Sequence, residues 1–166
     1  MAFTLFNGAA LLARGERSAI AAAAREALAG DPDARLLAFD DDTGRQVDVD
    51  EPQAPPRKVG RPKLGVVARE VTLLPRHWDW LAAQPGGASV ALRKLVEAAR
   101  RDPAEQARAR RDAAWRFMNA IGGDLPGFED ASRALFAGDH DRLLEMTAGW
   151  PADIRQHALR LLEAEG

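Results

Sequence analysis

The chain of 166 residues lacks cysteine and tyrosine and has only three histidines, His77, His140 and His157. Without cysteine the chain has no disulfide bonds, no thiol catalysis and no cysteine-ligated zinc. The histidines are not spaced as a metal-binding pair on one helix, and the sequence contains no phosphate-binding loop, nucleophile elbow or dinucleotide fingerprint. We therefore expect a protein that is not an enzyme and that uses no metal and no cofactor.

A long hydrophobic run is absent as well. The longest apolar stretch is far shorter than a membrane span, and the first residues lack the basic segment that opens a secretory signal. These absences predict a cytoplasmic protein without membrane contacts. The chain does have 46% hydrophobic residues, enough for a packed core, and an alanine- and arginine-rich composition typical of GC-rich bacterial genomes.

The net charge of −2 conceals a basic middle between two acidic flanks. Residues 1–50 carry a net charge of −4, residues 51–101 a net charge of +6, and residues 102–166 a net charge of −4. A basic segment between acidic ones is a candidate phosphate-binding surface, although a solvated linker has the same composition. Charge alone leaves both interpretations open.

Residues 1–50 have the pattern of a small α+β unit with the order ββαββ. Short apolar runs predict four strands, at 3–6, 9–12, 35–39 and 46–49. A helix over 19–29 fits Ser18 as its N-cap. The acidic run Asp40–Asp42 lies in the second hairpin; because the glycine is misplaced for a calcium loop, we interpret this run as a solvated turn.

Residues 51–68 are proline-rich, basic and without periodicity, which predicts an extended linker. Within it, Gly60-Arg61-Pro62 resembles the core of an AT-hook, which lies extended in the minor groove of A·T-rich DNA. The resemblance implies that the arginine enters the negative potential of a narrow groove. We call the candidate DNA-binding residues of this segment the basic arm; they are Arg57, Lys58, Arg61 and Lys63.

Residues 69–101 predict one strand followed by two helices. The run 69–74 has the composition of a strand that stops at a proline, and a helix follows over 76–84. A Gly-Gly turn breaks that helix, and Ser89 is the expected N-cap of a second, amphipathic helix that ends near residue 101.

This order resembles the ribbon-helix-helix class of DNA-binding proteins. Leu74-Pro75 closes the strand, Leu81 follows six residues after the proline, and Ser89–Val96 has the Ser-x-x-apolar-Arg pattern of the second helix. The resemblance implies a homodimer in which two strands pair into an antiparallel ribbon that lies in the major groove of DNA, while the start of the second helix binds a phosphate.

The resemblance also assigns two sets of residues. The DNA-contacting set is Arg69, Thr72, Ala88, Ser89 and Arg93. The dimer interface is Val71, Leu73, Leu74, Trp78, Leu81, Leu92, Leu95 and Val96. The ribbon departs from the pattern in one respect, since Val71 and Leu73, or Glu70 in the opposite register, are poor partners for DNA bases and phosphates.

Residues 102–166 predict a helical bundle. One long helix ends near residue 121, a second covers 128–137, Asp139 caps a third, and Trp150-Pro151 opens the last. The four tryptophans of the chain are interpreted as core or interface anchors rather than platforms for stacking bases.

Over nearly its whole length the chain resembles a bacterial family known as domain of unknown function 2239. The likeness is carried by the stretches FDDDTGRQVDVD, GRPKLGVVAREVTLLPRHWDWLAAQPGGASVALRKLV and DLPGFEDASRALFAGD. This resemblance implies an architecture but no activity. The predicted fold is α+β in four parts: 1–50, 51–68, 69–101 and 102–166.

Two functions remain open on the sequence. The first is a dimeric DNA-binding protein, a transcriptional regulator or a nucleoid-associated protein, that binds A·T-rich minor grooves or DNA without sequence specificity. The second is a dimeric scaffold that binds other proteins and has no role on DNA.

Overall fold

The computed structural model describes residues 2–49, 67 and 69–163. These residues form four strands and seven helices, so the fold is mixed α+β as the sequence predicts. The strands are β1 (Phe3–Asn7), β2 (Ala10–Gly15), β3 (Leu36–Asp40) and β4 (Gln46–Val47). The helices are α1 (Arg17–Gly30), α2 (Pro75–Ala82), α3 (Gly87–Arg101), α4 (Pro103–Gly122), α5 (Phe128–Ala137), α6 (His140–Met146) and α7 (Ala152–Glu163).

The four strands pair antiparallel in the order β2-β1-β3-β4. This confirms a small N-terminal sheet, and all four strands fall where the apolar runs predict them to within a few residues. Strand β1 is central, and its consecutive residues Phe3, Thr4, Leu5 and Phe6 are all buried. A strand with both faces covered has no need for polar residues at alternate positions, which explains why its sequence alternates poorly.

The two faces of the sheet belong to two different apolar clusters. Phe3, Leu5 and Ala38 lie in one cluster with Ile20 and Ala24 of α1. Phe6 and Phe39 lie on the opposite face, in a larger cluster that includes Phe117 of α4 and Trp150, Ile154 and Leu161 near or on α7. The sheet is therefore a middle layer, with α1 on one side and the C-terminal helices on the other.

The acidic turn between β3 and β4 is not a solvated turn, which corrects the interpretation from sequence. Asp40 Oδ1 accepts hydrogen bonds from the backbone N–H groups of Asp42 and Thr43, at 2.9 and 3.1 Å. The carbonyl of Thr43 in turn accepts from Arg116 Nη1 on α4 at 3.1 Å. Gly44 is buried against α4, where an added Cβ would lie only 1.9 Å from the carbonyl oxygen of Ala113. The turn is a contact between the sheet and α4.

The C-terminal helices follow the predicted positions closely. Helix α5 occupies the predicted range and ends at Gly138, which has a left-handed backbone (φ 72°). Asp139 caps α6 as predicted, since its side chain accepts from Arg142 N at 3.0 Å. Trp150 is buried, and its indole Nε1–H donates to the carbonyl of Pro126 at 2.8 Å. This tryptophan is a core anchor.

Two predicted N-caps are wrong. Helix α1 begins at Arg17 after Glu16, so Ser18 lies inside the first turn. Helix α3 begins at Gly87 after Gly86, so Ser89 is the third residue of the helix. Gly86 has φ 88°, a left-handed conformation that glycine adopts without cost, and its backbone geometry replaces a side-chain cap.

The predicted strand at 69–74 is not formed with any described segment of this chain. These residues belong to no helix or strand, and Leu74 has an extended backbone (φ −67°, ψ 150°). The two helices and the glycine turn of the ribbon-helix-helix pattern are present, but the ribbon requires a second chain, so the resemblance itself is not confirmed.

The chain divides into two compact units. The first joins Met1–Glu51 with Pro103–Gly166, and the second is Pro52–Asp102. The sequence places the N-terminal sheet and the C-terminal bundle in separate domains, whereas in the structure one apolar cluster contains residues of both. Helices α2 and α3 contact each other within the second unit, in which Leu81 and Ala91 are buried.

Candidate nucleic-acid interface

The predicted DNA-contacting residues of the second unit lie on its surface. Arg69 and Thr72 are exposed in the segment before α2. Ala88 is half-buried and Ser89 is exposed, and both lie in the first turn of α3. Arg93 is exposed one turn later, and its Nε donates to the carbonyl of Ser89 at 3.1 Å. Helix α3 thus brings three of these five residues to one end.

The basic arm lies outside the described residues. Arg57, Lys58, Arg61 and Lys63 all fall in the segment 50–66, which is not among the residues that the structure describes. Their predicted role rests on the sequence alone.

The start of helix α3 is electrostatically favourable for an anion. The start of a helix carries a partial positive charge, and no acidic residue lies in the first turn of α3. Arg100 and Arg101 lie in its last turn, where positive charge is also favourable. Across 69–101 there are six basic and three acidic side chains, a net charge of +3.

The predicted dimer-interface residues are divided between core and surface. Leu81 is buried, and Leu73 and Leu92 are half-buried. The other five are among the exposed large apolar side chains of the protein: Val71, Leu74, Trp78, Leu95 and Val96. Trp80 is exposed by 53% as well, although the sequence pattern does not place it in the interface. We call the five exposed members of the predicted interface, with Trp80, the exposed apolar set.

A second cluster of polar groups lies in the first unit, between the sheet and α7. We call Thr4, Asp41 and His157 the buried polar cluster; the largely exposed Arg14 contacts it from β2. Thr4 Oγ1 donates to Asp41 Oδ1 at 2.8 Å, and His157 Nε2 lies 3.7 Å from the same oxygen. On the other side of the imidazole, Arg14 Nη2 lies 3.5 Å from His157 Nδ1. A guanidinium can only donate, so Nδ1 accepts and the neutral ring carries its proton on Nε2.

The environment of His157 is aromatic. Its ring centroid lies 4.5 Å from that of Phe117 and 5.6 Å from that of Phe6, in edge-to-face arrangements. Burial, with the nearby charges of Arg14 and Arg160, lowers the pKa of His157 to about 3. Burial also raises the pKa of Asp41, and burial lowers the pKa of Arg14. Each shift has the sign expected when desolvation disfavours the charged form.

A hydrogen bond next to this cluster joins α7 to the edge of the sheet. One turn before His157 on α7, Asp153 Oδ2 accepts a hydrogen bond from the backbone N–H of Leu11 on β2 at 2.8 Å. Because β2 is an edge strand, this bond satisfies a donor that the ladder leaves open. The His157 side chain is fully buried and cannot reach a substrate in solution, so we assign the cluster a structural role.

No group of three or more histidine, aspartate and glutamate side chains in the described part of the chain is arranged to hold a metal ion. Among the helices that the structure describes, none combines the length and apolarity needed to cross a bilayer.

Comparison with known protein families places both units of the chain within one family model. A family model described as "Uncharacterized protein conserved in bacteria (DUF2239)" matches residues 2–54 and 49–162. The chain belongs to this bacterial family. The two matched segments span both units of this DUF2239 member, so the sheet, the α2–α3 pair and the C-terminal helices all lie within the family model. No curated protein and no solved structure gives a significant match.

In this DUF2239 member, the position of His157 in the sequence indicated that its side chain is buried, although histidine is a polar residue. His157 lies on the same face of α7 as Ile154, Ala158 and Leu161, at the spacing of an inward stripe, and all four are buried. A histidine in an apolar stripe therefore indicated a buried imidazole. Nothing in the local sequence indicated its partners Arg14 and Asp41, which come from distant strands and turns.

Proposed function

We propose that this protein is a homodimeric, non-enzymatic DNA-binding protein of the bacterial cytoplasm. In this proposal the segment 69–101 makes the dimer, and the basic arm with the start of α3 binds DNA. The observation that carries the proposal is the exposed apolar set, which lies in the unit that also holds the most basic stretch of the chain.

The exposure of the apolar set supports self-association. Leu95 and Val96 on α3 are exposed by 48% and 55%, although they continue the apolar stripe of the helix. Val71 and Leu74 are exposed by 51% and 48% in the segment before α2. Large apolar side chains clustered in one unit mark an association surface. A second copy would cover them and would also provide a partner strand for 69–74, whose backbone pairs with no described strand.

The charge of the second unit supports a nucleic-acid partner. The basic arm adds four cationic side chains immediately before the described segment of net charge +3. Each cation placed on a phosphate releases a counterion, which favours binding at low salt. The start of α3, with Gly86 in a left-handed turn and no acidic residue in the first turn of the helix, adds a backbone site that suits a phosphate.

The composition of 69–74 favours low sequence specificity. Thr72 is exposed and able to hydrogen-bond a base edge, but Glu70, two positions away on the same face of an extended strand, is exposed and repels phosphate. In this proposal most of the affinity comes from the basic arm, and the preference is for A·T-rich grooves or for DNA in general.

The experiment that tests this proposal measures binding of the full chain to fluorescent A·T-rich and G·C-rich duplexes by anisotropy. We expect micromolar or tighter binding, weakened at least about ten-fold by Arg61→Ala/Lys63→Ala. The matched control, Arg108→Ala/Arg133→Ala, removes the same charge from two exposed arginines of the first unit that each pair with an acid three residues away. Absence of binding, or an equal loss in the control, would contradict the proposal.

A scaffold that binds another protein is the second candidate, and Trp80 favours it. Trp78 and Trp80 are two positions apart on α2, so they project to different sides of the helix, yet both are exposed. One dimer surface on α2 would cover only one of them. Capture of the same protein partners from nuclease-treated lysate by wild type but not by Trp80→Ala would support the scaffold.

A further inference from the structure

We infer that the first unit binds a small organic anion, a carboxylate attached to a compact apolar group, in a cavity between α4 and the α5–α6 turn. The cavity has a volume of about 160 Å³. It is separate from the segment 69–101, so this inference does not depend on DNA binding.

The floor of the cavity is apolar. Ala134, Leu135 and Leu143 line it and are each at least 95% buried, and Leu162 of α7 closes one side. A pocket of about 150 Å³ with aliphatic walls is large enough for one benzene ring. The floor therefore accepts a group of the size of a phenyl ring or a short branched alkyl chain.

The rim is cationic. Arg110 and Arg111 line the cavity and are half-buried. Within the described residues neither guanidinium has an acid within 4.0 Å or donates a hydrogen bond, whereas Arg108, one turn along the same helix, pairs with Glu105. Guanidinium groups bind carboxylates through two parallel hydrogen bonds, and partial removal of water strengthens that contact.

The remaining polar groups at the rim are Asp139 and His140. The carboxylate of Asp139 is already engaged, since it accepts from the backbone N–H of Arg142 at the start of α6. Two arginines and one aspartate give the rim an excess of one positive charge. That balance favours a monoanion over a cation or a neutral ligand.

Benzoate is the probe that combines the ring and the carboxylate, and benzamide is its neutral counterpart. We would titrate each into the ¹⁵N-labelled full chain and follow amide shifts by NMR. We expect saturable shifts for benzoate that are confined to the cavity lining, and binding of benzamide at least about ten-fold weaker, because a charge-assisted hydrogen bond is lost. The comparison of the two ligands uses only the wild-type protein.

Two double variants distinguish the contribution of Arg110 and Arg111 from the effect of a lower net charge. Arg110→Gln/Arg111→Gln should weaken benzoate binding about ten-fold or more, whereas Arg108→Gln/Arg133→Gln, with the same loss of charge, should change it by less than about two-fold. The inference is overturned by any one of three results: no saturable shift with benzoate, equal affinity for benzamide, or unchanged affinity in the Arg110/Arg111 variant.

Discussion

At the scale of single residues, His157 is the group that ties stability to pH. The folded chain holds the imidazole neutral between Phe6 and Phe117, with its pKa lowered to about 3. An exposed imidazole in the unfolded chain has a pKa near 6.5. As the pH falls below about 6.5 the unfolded chain therefore takes up a proton that the folded chain does not bind until about pH 3, and stability is lost across that window.

The resulting prediction compares wild type with His157→Leu, which is apolar and does not titrate. The free energy of unfolding, measured in urea, should fall by about 2 kcal/mol more in wild type than in the variant between pH 7.5 and pH 5. Asp41 acts with the opposite sign, because its raised pKa favours the folded chain at low pH, and it is retained in both proteins. Equal pH dependence in the two proteins would show that His157 is not held neutral.

Gly44 is the residue whose replacement tests the contact between the acidic turn and α4. Its backbone is left-handed (φ 65°), and a Cβ would collide with the carbonyl of Ala113. Gly8 is also left-handed (φ 57°), but it has no atom within 4 Å of an added Cβ. Gly44→Ala should therefore lower the free energy of unfolding by about 1–3 kcal/mol more than Gly8→Ala. Similar losses in both variants, measured in urea, would mean that the turn is not packed on α4.

At the scale of elements, part of the apolar stripe of α3 is exposed to solvent in a single chain. Leu95→Glu/Val96→Glu places two charges in the proposed dimer interface and should weaken self-association at least about a hundred-fold. Lys94→Glu changes the net charge by the same amount and is exposed beside the stripe, so it serves as the matched control. Sedimentation equilibrium measures both. A wild-type monomer at all concentrations, or a dimer that survives the double substitution, would rule out this surface.

The sequence predicts a helix or strand well when the residues that determine it lie within that element, and poorly when a distant segment is also needed. The helices with a clear start, stripe and glycine end, such as α5, were predicted almost residue for residue because those signals lie within the element. Ser18 and Ser89 were misassigned as N-caps because the backbone turns before them, at Glu16 and Gly86, already start the helices. The segment 69–74 has strand composition, but a strand also needs a partner, which composition cannot provide.

The candidate sites were predictable to different degrees for the same reason. The basic arm and the residues at the start of α3 could be proposed from a contiguous motif. The Arg110/Arg111 cavity could not, because it forms only where α4, the α5–α6 turn and the end of α7 meet. The buried polar cluster likewise combines Thr4, Asp41 and His157, which are far apart in the chain.

At the scale of the whole molecule, the N-terminal sheet depends on the C-terminal helices. Phe6 and Phe39 share a core with Phe117, whose ring lies 5.5 and 4.9 Å from theirs. Residues 1–50 alone should therefore not unfold cooperatively in urea. A chain in which a Gly-Ser linker of about 12 residues replaces 52–102 should unfold cooperatively, since a linker of this length adds little closure cost. A stably folded 1–50 fragment would contradict this single-unit description.

The central claim is that the protein is a DNA-binding dimer whose basic arm contacts phosphates. The salt dependence of DNA binding is its most direct test. The logarithm of the binding constant should fall linearly with the logarithm of salt concentration, by about 0.9 for each phosphate contacted. Replacing Arg57, Lys58, Arg61 and Lys63 with alanine should reduce the slope by up to about 3.6 per chain. No measurable binding at low salt, or a slope that the four substitutions leave unchanged, would contradict the claim.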